Sequence, residues 1–344
     1  MKKESNALVA VDLFSGCGGL TQGLKDAGFT VGAAVEIDAL AAETYAANHP
    51  DVKLFKADIR DTSASEIMDA CSVMKGELDL LAGCPPCQGF SRIRLNNKKE
   101  RMDDPRNRLI DEVLRLIGEL QPKVVMLENV PNLARYTRYL NFKRGLRKLG
   151  YEVVDKVLDV ADFGVPQRRK RLVVLASRLG PIFHPAPLDR RKTVRDAIAT
   201  LPSDIIDNDP LHNLGEQRSE RVRRLIRAIP KDGGSRTALS PGLTLKCHEK
   251  QDGFYDVYGR MKWDDVSPTI TGGCINPSKG RFLHPTEDRA ITLREAALLQ
   301  SFPPGYVFSL RKGKYAAAEM IGNALPPVFS RMQAEVIRKH LVKQ

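Results

Sequence analysis

The chain reads as an α/β protein built on a largely parallel sheet, with a smaller, irregular domain attached. Three observations carry this expectation. Short apolar runs alternate with helix-period segments between residues 7 and 185. A glycine-rich turn follows the first of those runs. Near Pro185 the alternation gives way to a stretch rich in Pro, Gly, Arg and Lys.

The strand candidates are 8–13, 31–36, 78–82, 123–127, 152–158 and 171–177. Runs such as Val124-Val125-Met126-Leu127 are apolar at every position, as strands covered on both faces require. Between them, Leu109, Ile110, Val113, Leu116, Ile117 and Leu120 recur at helical spacing until Gln121-Pro122 stops the helix. Residues 139–150 form another expected helix, ended by Gly150. Within 185–290 a helix is expected at 216–229 and a strand-like piece at 267–271. Helical patterning returns at 293–299, and a last helix, 328–342, follows Pro326-Pro327. The expected division is therefore 1–184 together with 312–344 as one domain, 185–290 as a second, and 291–311 as a hinge.

Composition narrows the partners. A net charge of +12 over 344 residues favours a polyanion. No apolar run approaches the roughly 20 residues that span a bilayer, and the charged start leads straight into a strand with no apolar leader. A cytoplasmic, nucleoid-associated protein with no membrane partner is expected. The six cysteines are scattered, so a disulfide framework is not indicated. Cys84 and Cys87 form a C-x-x-C, but no second pair or nearby histidine pair completes a zinc set, and no metal site is expected. The Pro85-Pro86 interior also suits a redox motif badly. Cys17, Cys71, Cys247 and Cys274 read as small packed residues.

Four segments carry chemistry. In Leu13-Phe14-Ser15-Gly16-Cys17-Gly18-Gly19, glycines after a strand let backbone approach a nucleotide-like ligand. Glu36 follows the second strand, about twenty residues on, at the distance where an acid meets ribose hydroxyls. Asp58 follows a third. No P-loop lysine or helix-start arginine is present for a pyrophosphate, so S-adenosylmethionine fits this order better than NAD. Cys87 sits in Cys84-Pro85-Pro86-Cys87-Gln88 at the carboxyl end of a strand, stiffened by two prolines and placed where ligands of open α/β sheets bind. Glu128-Asn129-Val130 ends the next strand and reads either as a helix-capping acid or as a catalytic one. In Gln167-Arg168-Arg169-Lys170-Arg171, alternation predicts that Gln167, Arg169 and Arg171 share one strand face.

Taken in this order, these motifs resemble those of the DNA (cytosine-5) methyltransferases. The likeness continues through Arg289-Ala290-Ile291-Thr292-Leu293-Arg294-Glu295, Gln300-Ser301-Phe302-Pro303 and Gly322-Asn323-Ala324-Leu325-Pro326, where Leu325 stands for the usual valine. Tyr258-Gly259-Arg260-Met261 and the run 277–282 look like the bacterial type. The resemblance implies a Rossmann-like, S-adenosylmethionine-dependent methyltransferase domain and a DNA-recognition domain. It makes Cys87 the nucleophile, Glu128 the acid at cytosine N3, and Arg169 and Arg171 the active-site arginines. Phe14, Gly16, Gly18, Glu36, Ile37, Asp58, Ile59, Pro86, Leu109 and Asn323 would line the cofactor pocket.

The implied partner is double-stranded DNA with its target cytosine flipped out, and a cognate restriction endonuclease would act separately. Arg92, Arg94, Lys98 and Lys99 in the basic loop, with Arg260, Lys279 and Arg281, are the expected DNA contacts. The arginines from 218 to 227 add phosphate contacts. Two other readings compete: an RNA methyltransferase of the same fold, and a catalytically silent DNA-binding module.

Overall fold

The computed structural model describes residues 7–86, 108–240, 242–243 and 256–343. By backbone contact the chain divides into two compact units. The first comprises 1–160, 170–187 and 325–344, the second 161–169 and 188–324.

The first unit alternates strand and helix: β1 (Val9–Leu13), α1 (Gly19–Asp26), β2 (Thr30–Val35), α2 (Ala39–Asn48), β3 (Lys53–Phe55), α3 (Ala64–Cys71), β4 (Leu80–Gly83), α4 (Leu109–Leu120), β5 (Val124–Asn129), α5 (Thr137–Lys148), β6 (Glu152–Asp159) and β7 (Lys170–Ser177). The sheet order is β3-β2-β1-β4-β5-β7-β6. β1 through β5 run parallel, and β7 is antiparallel to both β5 and β6. The order reverses between β1 and β4, and open α/β sheets bind ligands beyond the carboxyl ends of strands at such a point. β4 and β5 are buried at every position, which explains the apolar runs 80–82 and 124–127. In α4 the six residues singled out by spacing all face the core, while Arg115 pairs with Glu112 and Glu119 on the outer side.

In the second unit the helices are α6 (Val194–Ile198), α7 (Ser203–Asn208), α8 (Glu220–Ala228), α9 (Leu293–Leu299) and α10 (Lys314–Asn323). The expected strand at 267–271 is absent: Ser267 makes an isolated bridge to Gln167 and no named strand follows. This unit gains order from buried polar contacts instead. α11 (Pro327–Val342) then returns to the first unit, against α1. The two helices approach so closely that a Cβ at Gly23 would lie 2.4 Å from the Pro327 carbonyl and the Ser330 Cβ. The division differs from the sequence-based one: the expected hinge 291–311 lies within the second unit, and 185–187 lie in the first. Residues 312–324 and 161–169 cluster with the second unit, because α10 packs on α9 and Gln167 pairs with Ser267.

Arg260 corrects an expectation. It is 0% exposed, and its five guanidinium hydrogens are all committed. Nε donates to the Ile229 carbonyl, Nη1 to the carbonyls of His284 and Glu287, and Nη2 to the Ile226 carbonyl and Asp288. It has nothing left to offer DNA; it ties α8 to 284–288. Arg281 also turns inward, with Nη1 donating to the carbonyls of Gly233, Gly234 and Arg260. Lys279 is exposed. Arg260→Met is expected to destabilise the protein by about 3–5 kcal/mol, since four carbonyls and Asp288 lose a charged donor. Urea unfolding measures this. An unchanged midpoint with weakened DNA binding would restore Arg260 as a DNA contact.

Candidate active site

The carboxyl edge of the sheet assembles the site of the first unit. Leu13 is in register with Val35 on one side and Gly83 on the other, and Gly83 with Leu127. One residue further along each strand, Glu36, Phe14, Cys84 and Glu128 therefore follow one another in a row across four strands. The sequence brought these residues forward from separate motifs; the register sets them side by side.

At the β1 end the chain turns sharply. Phe14 has φ 58°, and Gly16 and Gly18 also have positive φ. This turn presents the Gly16 amide to Glu36 Oε2 at 2.7 Å, while Oε1 accepts from the Asp38 amide at 2.7 Å. Burial pushes the Glu36 carboxyl above its usual range, opposed by those amide bonds. Asp38 in turn caps α2 by accepting from the amides of Leu40 and Ala41. Ile37 is 67% exposed beside this acid, an unusual position for a large aliphatic side chain. Asp58 accepts from the Arg60 amide and guanidinium, and the side-chain bond to Arg60 holds its carboxyl below the usual range. Ile59 and Leu109 point into the core, so a ligand would reach the Ile59 position mainly through backbone. Asn323 ends α10 with its side chain exposed, in the second unit.

Two buried oxygens behind the turn, Asp12 Oδ1 and Ser15 Oγ, have no hydrogen-bond partner among the described residues. The other oxygen of Asp12 accepts from Thr21 Oγ1 at 2.7 Å. Burial pushes the Asp12 carboxyl up to about 7, against the lowering bonds from Thr21. A carboxyl whose pKa is raised on folding leaves stability intact below its unfolded value of 3.8 and removes it as pH rises through about 7. Asp12→Asn should therefore raise the unfolding free energy measured in urea at pH 8, by on the order of a few kcal/mol, and change it little at pH 4. An equal shift at both pH values would show that the charge of Asp12 is not the cause.

At the β4 and β5 ends, Arg171 Nε reaches Glu128 Oε1 at 2.6 Å, with both side chains largely buried. Asn129 Nδ2 donates to the Pro85 carbonyl at 3.0 Å, tying β5 to the start of the proline run. Its role was not anticipated; its place directly after Glu128 was the available signal. Pro86 is half-buried. Cys87 and the loop residues Arg92, Arg94, Lys98 and Lys99 lie outside the described residues.

The shared face expected for Gln167, Arg169 and Arg171 does not form, since β7 begins only at Lys170. Gln167 is buried in the second unit, donating to Gln300 and accepting from the Ile270 amide. Arg169 Nη1 donates to the carbonyls of Ile270 and Gly322 at 3.1 and 2.8 Å. Gln300 Nε2 continues this brace to the Ile321 carbonyl. Nearby, Arg289 grips the fully buried Glu295 with two bonds of 2.7 Å, and Glu295 and Thr292 close the capping box of α9. Much of the motif pattern in 289–323 is thus internal scaffolding. Among the described residues no cluster could hold a metal ion. The described residues also contain no helix long and apolar enough to cross a membrane.

The family model for C-5 cytosine-specific DNA methylases matches residues 8–339. The chain belongs to this family. The methylase is 36% identical to the Type II methylase M.HgiDII of Herpetosiphon aurantiacus, over 96% of this chain and 95% of that one. It is 34% identical to the Type II methyltransferase M1.HphI of Haemophilus parahaemolyticus, covering 97% and 87% of the two chains. Among solved structures it is similar to a chain from E. coli assigned as a DNA modification methyltransferase encoded within a prophage. The TM-score is 0.70 at 26% identity, covering 98% of this chain and all of that one. Schizosaccharomyces pombe Dnmt2 shares the fold, with a TM-score of 0.62 at 20% identity over 98% and 99% of the two chains. The methylase is an enzyme of the DNA (cytosine-5) methyltransferase class, with the α/β methyltransferase fold.

Proposed function

We propose that the enzyme methylates a specific cytosine in double-stranded DNA through a covalent Cys87–C6 adduct, using S-adenosylmethionine. The observation that carries this reading is the row Glu36, Phe14, Cys84 and Glu128, with Arg171 fixed on the Glu128 carboxylate. One end of the row suits an adenosyl ligand. Glu36 lies at ribose-binding distance from the turn, Ile37 offers an exposed apolar side chain for a base to cover, and the unpartnered Asp12 and Ser15 oxygens lie behind. Among the described residues, chain neighbours aside, no atom lies within 4 Å of where a Gly16 Cβ would be, which leaves space at the turn. Gly18, Asp58, Ile59, Pro86 and Leu109 complete the part of the proposed pocket that the first unit supplies.

The other end carries the chemistry. Cytosine C5 is a poor nucleophile, and its C6 is reached only from above the ring, so the base must leave the helix at a cost of a few kcal/mol. The Cys87 thiolate forms a bond to C6, and the C5–C6 π electrons shift into the ring toward N3. The Glu128 carboxyl, donating its proton at N3 and accepting from the exocyclic amine, stabilises that charge. When bound, S-adenosylmethionine supplies the methyl carbon that C5 takes. Loss of the C5 proton to a base restores the double bond and expels the Cys87 thiolate. Arg171 holds Glu128 in place, and Arg169 orders the segment before it.

The region 185–290 is proposed to read the DNA sequence, with phosphate contacts from the basic loop, from Lys279 and from the exposed arginines of α8. Those arginines are partly offset by Glu220, which pairs with Arg223, Arg224 and Arg227. The Type II relatives favour a modification role beside a separate endonuclease. Transfer of labelled methyl groups from S-adenosylmethionine to duplex DNA, and not to tRNA, tests the substrate. Bisulfite sequencing of DNA from expressing cells then reads the target. Methylated tRNA with unmodified DNA, or no transfer to either, would overturn the reading.

A further inference from the structure

Cys84 stands next to Glu128 in the row across the sheet. The β4–β5 register pairs Gly83 with Leu127, so the following residues sit side by side on parallel neighbours, with side chains on one face. The Cys84 amide donates to the Leu13 carbonyl at 3.2 Å, which continues the β1–β4 ladder and fixes where the side chain starts. The register therefore sets the thiol beside the Glu128 carboxylate, whose charge acts on it. Arg171, from β7, takes Oε1 of the same carboxylate. Asp12, from β1, adds a second negative charge near this thiol.

We propose that Cys84 is a positioning residue, whose S–H donates to the Glu128 carboxylate and, with Arg171, holds it in one orientation for the cytosine. Burial first, then the negative charges of Glu128 and Asp12, raise this thiol well above its ordinary range, so it stays protonated. A protonated thiol is a donor and a poor nucleophile, which separates the roles of the two cysteines in the C-x-x-C. The proposal rests on Glu128 acting on the base.

Rates of covalent complex formation on 5-fluorocytosine duplex DNA test it in five proteins: parent, Cys84→Ala, Cys84→Ser, Glu128→Gln and the Cys84→Ala/Glu128→Gln double variant. Cys84→Ala should slow the reaction about 3- to 10-fold, a hydrogen bond's worth, because the carboxyl loses the donor that orients it. DNA affinity should stay unchanged. Cys84→Ser keeps a donor and should keep the parent's rate. In the Glu128→Gln background Cys84→Ala should cost nothing more, an outcome that a merely structural role would not produce. A parent-like rate in Cys84→Ala, or an equal loss in both backgrounds, would overturn the proposal. If Cys84→Ala does not fold, a slowed reaction in Cys84→Ser overturns it. A Glu128→Gln protein as fast as the parent would overturn the underlying reading of Glu128 instead.

Discussion

Duplex DNA carrying 5-fluorocytosine at the target is expected to capture the enzyme in a complex that survives denaturation, and Cys87→Ser is expected to capture none. Release of the enzyme needs the C5 substituent to leave as a cation after the methyl group arrives. A proton can do this and fluorine cannot, so the adduct accumulates. Serine fails earlier. An alcohol of high pKa supplies almost no oxyanion near neutral pH, whereas a thiol supplies a usable fraction of thiolate that is also intrinsically more nucleophilic. The comparison with Cys84→Ser assigns the chemistry within the C-x-x-C, since that protein should trap as the parent does. A denaturing gel with end-labelled DNA reads all three. Trapping by Cys87→Ser at the parent's rate would remove Cys87 as the nucleophile.

Glu128→Gln should bind DNA normally and form the adduct about 100- to 10,000-fold more slowly, the range typical for loss of a positioned acid. The amide is nearly isosteric, so the pairing with Arg171 weakens while the strand end keeps its packing. It offers a permanent donor but neither the charge nor the exchangeable proton that N3 requires. Single-turnover methylation, compared with DNA affinity measured separately, distinguishes lost chemistry from lost binding. A fall in affinity that accounts for the whole rate loss would make Glu128 a binding residue.

The alternation of strand and helix up to Ser177 was legible in the sequence because parallel strands covered on both faces must be apolar throughout, and an amphipathic helix must repeat at its own period. Thus α4 matched the spacing of its six apolar residues. The places of Glu36 and Glu128 at strand ends were legible too, since a carboxylate is a costly residue to set directly after an apolar run. Spacing alone, however, cannot distinguish a residue that faces a ligand from one that faces its own fold. Arg260 and Arg281 read as basic residues available to DNA, yet in the structure they donate to backbone carbonyls. The alternation of Gln167, Arg169 and Arg171 suggested one strand face, but the ladder starts at Lys170, and Gln167 satisfies an amide and a glutamine more than a hundred residues away in sequence.

What the sequence determined by itself is local: apolar period, turn chemistry and the family motifs, all properties of residues within one helical turn or strand of each other. What only the tertiary structure decided is register and satisfaction. Whether Cys84 lies beside Glu128 depends on how two strands align, and whether an arginine is free depends on which distant carbonyls need a donor. Buried polar groups must find partners wherever the folded chain brings them, and no local pattern encodes where that is.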